Sequence, residues 1–88
     1  MARIEITAET DAKLYWIAVD DQDVDMRNGF GSIAVPAGKH MLHWGMHGAA
    51  GNTLSVRVTH NDSVLVEVDK DPIPDGWDRG GGLARFEA

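Results

Sequence analysis

The sequence predicts an all-β domain, a small antiparallel β-sandwich of about seven short strands. Three observations predict it. Apolar residues recur with period two, turn-forming residues separate the apolar runs at close intervals, and no stretch carries a convincing helical period. A chain of 88 residues supplies one domain with a small core.

The first strand is read at Arg3-Ile4-Glu5-Ile6-Thr7, with Ile4 and Ile6 on one face. Leu14-Tyr15-Trp16-Ile17-Ala18-Val19 is apolar on both faces, which predicts a central strand covered on both sides. Ser32-Ile33-Ala34-Val35 is a short strand stopped by Pro36, which cannot donate to a ladder. Between Lys39 and His47, Leu42, Trp44 and Met46 alternate as in a strand. A helix there would carry Gly38, Gly45 and Gly48 at about 0.5–1 kcal/mol each, so the strand is preferred by roughly 2–3 kcal/mol.

Thr53 to His60 alternates most clearly, with Leu54, Val56 and Val58 inward. The turn formers His60-Asn61-Asp62-Ser63 lead into Val64-Leu65-Val66-Glu67-Val68, so residues 53–68 read as one antiparallel hairpin. Residues 1–70 are accordingly read as the sandwich core and 71–82, rich in Pro and Gly, as an arm. Residues 83–88 form a short terminal strand of the same domain.

Composition excludes several function classes. The absence of cysteine removes a disulfide scaffold, a thiol nucleophile and a zinc ribbon. Fourteen acidic residues against 8 basic ones give a net charge of −6, which argues against nucleic-acid binding. No apolar run approaches the roughly 18–20 residues of a membrane span, so no membrane insertion is expected. Met1-Ala2-Arg3-Ile4-Glu5 lacks the apolar region of a signal peptide, which predicts a cytoplasmic protein if residue 1 is the natural start.

Residues 13–47 carry a family resemblance. An apolar strand ending in Asp20 is followed by a polar loop, then by Ile33-Ala34-Val35-Pro36-Ala37-Gly38-Lys39-His40 and a further apolar strand. This resembles the small β-sandwich modules of the PEGA type, with their Pro-x-Gly turn between strands. The resemblance implies a surface-displayed or scaffold-attached domain without catalysis.

The residues themselves offer three candidate sites. His40, His43 and His47, with Met41 and Met46 between them, have the donor types of a copper, nickel or zinc site. On a strand, His43 and His47 share a face but lie roughly 13 Å apart, and His40 points to the other face. Only a helix would align all three. Asp21, Asp23 and Asp25 resemble the start of a calcium loop, in which alternate carboxylates surround a hard cation. Met26 and Ser32 stand where that loop requires Gly and Glu, so a solvated acidic loop is the plainer reading.

Trp16 and Trp44 are expected to fill the core, with an exposed platform for a sugar ring or a proline-rich peptide as the alternative. Trp77, in Pro72-Ile73-Pro74-Asp75-Gly76-Trp77-Asp78, either plugs an open end of the sandwich or anchors a partner chain. Trp77, Ile73 and Trp44 form the candidate partner-binding set. No catalytic set is expected: Ser32, Ser55 and Ser63 lack an elbow context, and Gly80-Gly81-Gly82 has no Lys-Ser/Thr after it.

The function expected from sequence is therefore a non-catalytic interaction or structural module without a cofactor. It would assemble with a protein partner or with itself through edge strands and the Trp77 arm. A small-ligand binder, taking metal or carbohydrate, is the alternative.

Overall fold

Period-two alternation becomes eight strands in the computed structural model, which describes residues 1–88. They are β1 (Ala2–Thr10), β2 (Leu14–Val19), β3 (Gln22–Asp23), β4 (Phe30–Val35), β5 (Lys39–His47), β6 (Thr53–His60), β7 (Ser63–Pro72) and β8 (Arg79–Glu87). There is no helix, and so none long and apolar enough to cross a membrane. The strands form two four-stranded antiparallel sheets, ordered β4-β1-β6-β7 and β3-β2-β5-β8. This is the predicted sandwich, with one strand more because β3 is only a two-residue edge.

The inward residues of both sheets make one core. Ile4, Ile6, Ile33, Val35, Leu54, Val56 and Val58 meet Ile17, Val19, Leu42, Trp44, Met46 and Phe86 across the sandwich. Each fully buried aliphatic side chain here contributes about 1.5–3 kcal/mol. Trp44 also joins the sheets by a polar contact, its Nε1–H donating to Asp71 Oδ2 at 2.7 Å.

Residues 39–47 are a strand, as read from their glycines, and residues 53–68 are a hairpin. Asn61 and Asp62 both take positive φ, 49° and 67°, which is the two-residue turn that matches strand twist. A second such turn lies at Asn28-Gly29, φ 53° and 77°, where Arg27 and Phe30 exchange backbone hydrogen bonds of 2.8 and 3.0 Å. The Asn-Gly pair announced it, although the stretch had read as plain polar loop.

Three expectations are corrected. Residues 71–82 are not an arm. β7 runs on to Pro72, paired with Thr53, and Ile73 is buried with its N–H on the Asn52 carbonyl at 2.8 Å. What remains is a short turn closed by Trp77 N–H on the Pro74 carbonyl at 3.1 Å. The last strand starts at Arg79 rather than Leu83, because its glycines make room instead of breaking the ladder. A side chain at Gly82 would press on the Trp44 ring at 2.6 Å. Finally, β2 is apolar on both faces but covered on only one: Leu14 and Trp16 stand 62% and 49% exposed on its outer side.

Candidate functional site

The strand pleat separates the three histidines. His40 points into the sandwich, whereas His43 and His47 point out of the β2–β5–β8 sheet. His40 Nδ1 lies 2.8 Å from Asp20 Oδ2, and Nε2 lies 2.7 Å from the Pro36 carbonyl. Both partners are acceptors, so both ring nitrogens are satisfied only when both donate, that is, as imidazolium. The hydrogen bond to Asp20, aided by the Pro36 carbonyl, raises the His40 pKa above its ordinary value. The same bond, together with Met41 N–H donating to Asp20 Oδ1 at 2.9 Å, lowers that of Asp20.

No lone pair of His40 is left for a metal. No group of three or more His, Cys, Asp or Glu side chains is placed to hold an ion. Asp21, Asp23 and Asp25 are exposed, and Asp25 pairs with Arg27 at 3.1 Å. Their loop drops Val24 into the core and shields the outer edge of β2.

The proposed partner-binding residues divide. Ile73 and Trp44 are 1% and 6% exposed and belong to the core, so neither presents a surface. Trp77 is 62% exposed and plugs nothing. Its turn is tied to the end of β5, where Gly48 N–H meets the Asp78 carbonyl at 3.0 Å.

Leu14 and Leu83 are missed in the sequence, and Trp16, expected in the core with an exposed platform as the alternative, is 49% exposed; all three lie on the outer face of the second sheet. Ladder register sets three rows across β2, β5 and β8. They are Ala18–His43–Leu83, Trp16–Gly45–Gly81 and Leu14–His47–Arg79. The middle row has no side chain on β5 or β8, and the Trp16 indole lies across Gly45, where an added Cβ would meet it at 2.3–2.6 Å. The result is a glycine-floored trough of about 340 Å³ between the flanking rows. One signal in the sequence points to it: the Leu14-x-Trp16 alternation, which puts large apolar side chains on both faces of one strand.

The outer face of the first sheet differs in kind. Arg3 donates to Ser32 Oγ at 2.8 Å, and Arg57 pairs with Glu67 across β6 and β7. A concavity of about 640 Å³ lies there, lined by Thr7, Glu9, Asp11, Ser55 and Lys70 among others. Its polar groups serve one another: Ser55 Oγ accepts Lys70 N–H at 2.9 Å, and Asp11 Oδ1 accepts Thr53 N–H at 2.9 Å. Compared with protein-family models, curated proteins and solved structures, the chain matches none.

Proposed function

We propose that this chain is a non-catalytic interaction module, which meets a protein partner across the outer face of the β2–β5–β8 sheet. One observation carries the reading: Leu14, Trp16 and Leu83 stand exposed together on that face, while the opposite sheet exposes Phe30 and Val64 singly, on its two edge strands, among paired polar groups. Contiguous exposed apolar side chains are unusual on a soluble domain that uses no contact there. An exposed indole among them is the residue type most often central to an interface. The one well-buried titratable side chain, His40, is spent on holding two turns together.

The test compares wild-type chain with Leu14→Ser/Trp16→Ser in cross-linking, both alone and in an extract of the source cells. Circular dichroism controls for folding. A defined cross-linked species formed by the wild type and lost in the variant is expected. Equal capture by both chains, or capture by neither, overturns the reading.

A second reading is favoured by the trough itself. A glycine floor beside a half-exposed indole suits the flat apolar face of a pyranose ring. Trp44 is buried, so in a Trp77→Phe background the acrylamide-quenchable emission is that of Trp16; soluble glycans should then protect it, and a silent panel removes this option.

A further inference from the structure

The free edge of β8 is regular and self-complementary. Gly48 N–H bonds the Asp78 carbonyl at 3.0 Å, and Gly38 and Ala88 exchange bonds of 2.9 and 3.0 Å. Hydrogen-bonded and non-bonded pairs alternate in an antiparallel ladder. The bonded pairs between those ends are therefore His40–Phe86, Leu42–Ala84, Trp44–Gly82 and Met46–Gly80. Arg79, Gly81, Leu83, Arg85 and Glu87 consequently turn their N–H and C=O groups away from β5. None of them takes part in the backbone bonds made outside the ladders.

The other edges are blunted in ways that oppose pairing. β3 has two residues. β7 carries two register breaks, Lys70 at φ 53°, and a terminal Pro72. β4 is six residues between the Asn28-Gly29 turn and Pro36. β8 is nine residues without proline or register break.

We propose that a second copy of the chain takes this edge, β8 pairing antiparallel with β8 about a two-fold axis at Leu83. The proposal rests on the interaction-module reading and names the occupant. Outward side chains must pair with outward side chains, so only every second register is allowed. With the axis at Leu83, the 62% exposed leucines face each other, and Arg79 faces Glu87 of the partner subunit. Glu87 then lies between that arginine and its own neighbour Lys39. Arg85 faces Gly81 of the partner subunit, and its stem extends over the bare glycine floor towards the Trp16 indole. That indole is the partner subunit's and lies over its Gly45, about 10 Å from the Arg85 backbone across two ladder spacings, a distance an extended arginine covers.

The neighbouring registers are worse. An axis at Gly82 sets Arg79 against Arg85, and an axis at Ala84 sets Arg85 against Leu83 and Glu87 against Gly81, so that no opposite charges meet. Only the Leu83 register matches opposite charges and uses the whole strand.

Light scattering and sedimentation on the full chain test this. The wild type should reach twice the 9.6 kDa of one chain as concentration rises through the micromolar range. Arg79→Glu and Glu87→Arg should each weaken dimerisation by about tenfold or more, since each places like charges opposite each other twice per dimer. The double reversal Arg79→Glu/Glu87→Arg should restore it. Amides of Gly81, Leu83 and Arg85 should exchange more slowly at high concentration, while those of Gly82 and Ala84 stay unchanged. A wild type that remains monomeric, a dimer indifferent to single reversal, or a double reversal that does not rescue overturns the proposal. If the charge variants change nothing while Leu14→Ser/Trp16→Ser abolishes capture, the edge register fails and the face reading stands. If the swap behaves as expected while capture is unaffected, the reverse holds.

Discussion

The His40 ring donates to Asp20 at 2.8 Å across the gap between two turns, and it does so as a cation buried at 8% exposure. Its second nitrogen is occupied by the Pro36 carbonyl, and its face rests on Phe86 with ring centroids 5.5 Å apart. Asp20 itself sits at φ 53° at the end of β2 and binds the backbone of Met41 on β5. One ion pair thereby fixes the turn after β2 against the turn before β5.

The pH dependence of stability follows from this pair. His40 has a folded pKa above its ordinary 6.5, so its contribution is fully present below that value and lost as pH rises through the folded pKa. Asp20 has a folded pKa below 3.8, so its contribution is present above that value and lost as pH falls through the folded one. The difference in stability between wild type and His40→Gln should therefore be largest between pH 3.8 and 6.5 and shrink on both sides. Urea unfolding across pH measures it, and a difference that grows above pH 6.5 contradicts the assignment.

Removing the acceptor of the Trp44 indole is expected to destabilise the sandwich. Asp71→Ala leaves an inward Nε1–H without its 2.7 Å partner, a loss of about 1–3 kcal/mol. Asp71→Asn keeps an acceptor and should cost less. Denaturant midpoints of the wild type and the two variants decide it, and an Asp71→Ala midpoint equal to that of the wild type would mean that water replaces Asp71 without penalty.

Much of this architecture was legible because alternation reports burial directly. Ile4 and Ile6, Leu54, Val56 and Val58, and Leu42 with Met46 all face the core as their spacing required. Alternation cannot report what lies beyond a sheet, however. In β2 the apolar outer residues Leu14 and Trp16 read as a second covered face, and nothing in the chain covers them. Glycine was the other difficulty. Gly80-Gly81-Gly82 falls in the arm of the sequence reading, yet it is a space left for Trp44 and Ile73. That space is a tertiary fact, set by side chains 7 to 38 residues away in sequence. Ile73 went to an arm for a similar reason: two flanking prolines mark irregular backbone but say nothing of where the side chain between them goes.

The Asn28-Gly29 turn gives a sharp backbone test. Gly29 has φ 77°, and a Cβ there would come within 2.6 Å of the Ala8 carbonyl oxygen, which cannot move without disturbing β1. Gly29→Ala should cost about 1–3 kcal/mol through strain at positive φ and this contact. Gly51→Ala, at φ 88° but with open space around the Cβ position, serves as the control and should cost less. Thermal unfolding of both variants checks the ordering.

The two glycines opposite tryptophans should respond in opposite ways. At Gly82 an added methyl would lie 2.6 Å from the Trp44 ring, which is 6% exposed and held by Asp71. That ring has no free space to enter, so Gly82→Ala should destabilise by about 1–3 kcal/mol while leaving the outer face unchanged. At Gly45 the methyl would lie 2.3 Å from the Trp16 ring, whose 49% exposure lets it swing outward. Gly45→Ala should therefore cost less stability, about 1 kcal/mol or below, and lift the indole off the trough. Fluorescence in a Trp77→Phe background should show the Trp16 emission shifting to longer wavelength and becoming more quenchable by acrylamide. If Gly45→Ala instead unfolds the chain as readily as Gly82→Ala, the Trp16 ring is pinned to the sheet, and the trough is rigid rather than bounded by a movable wall.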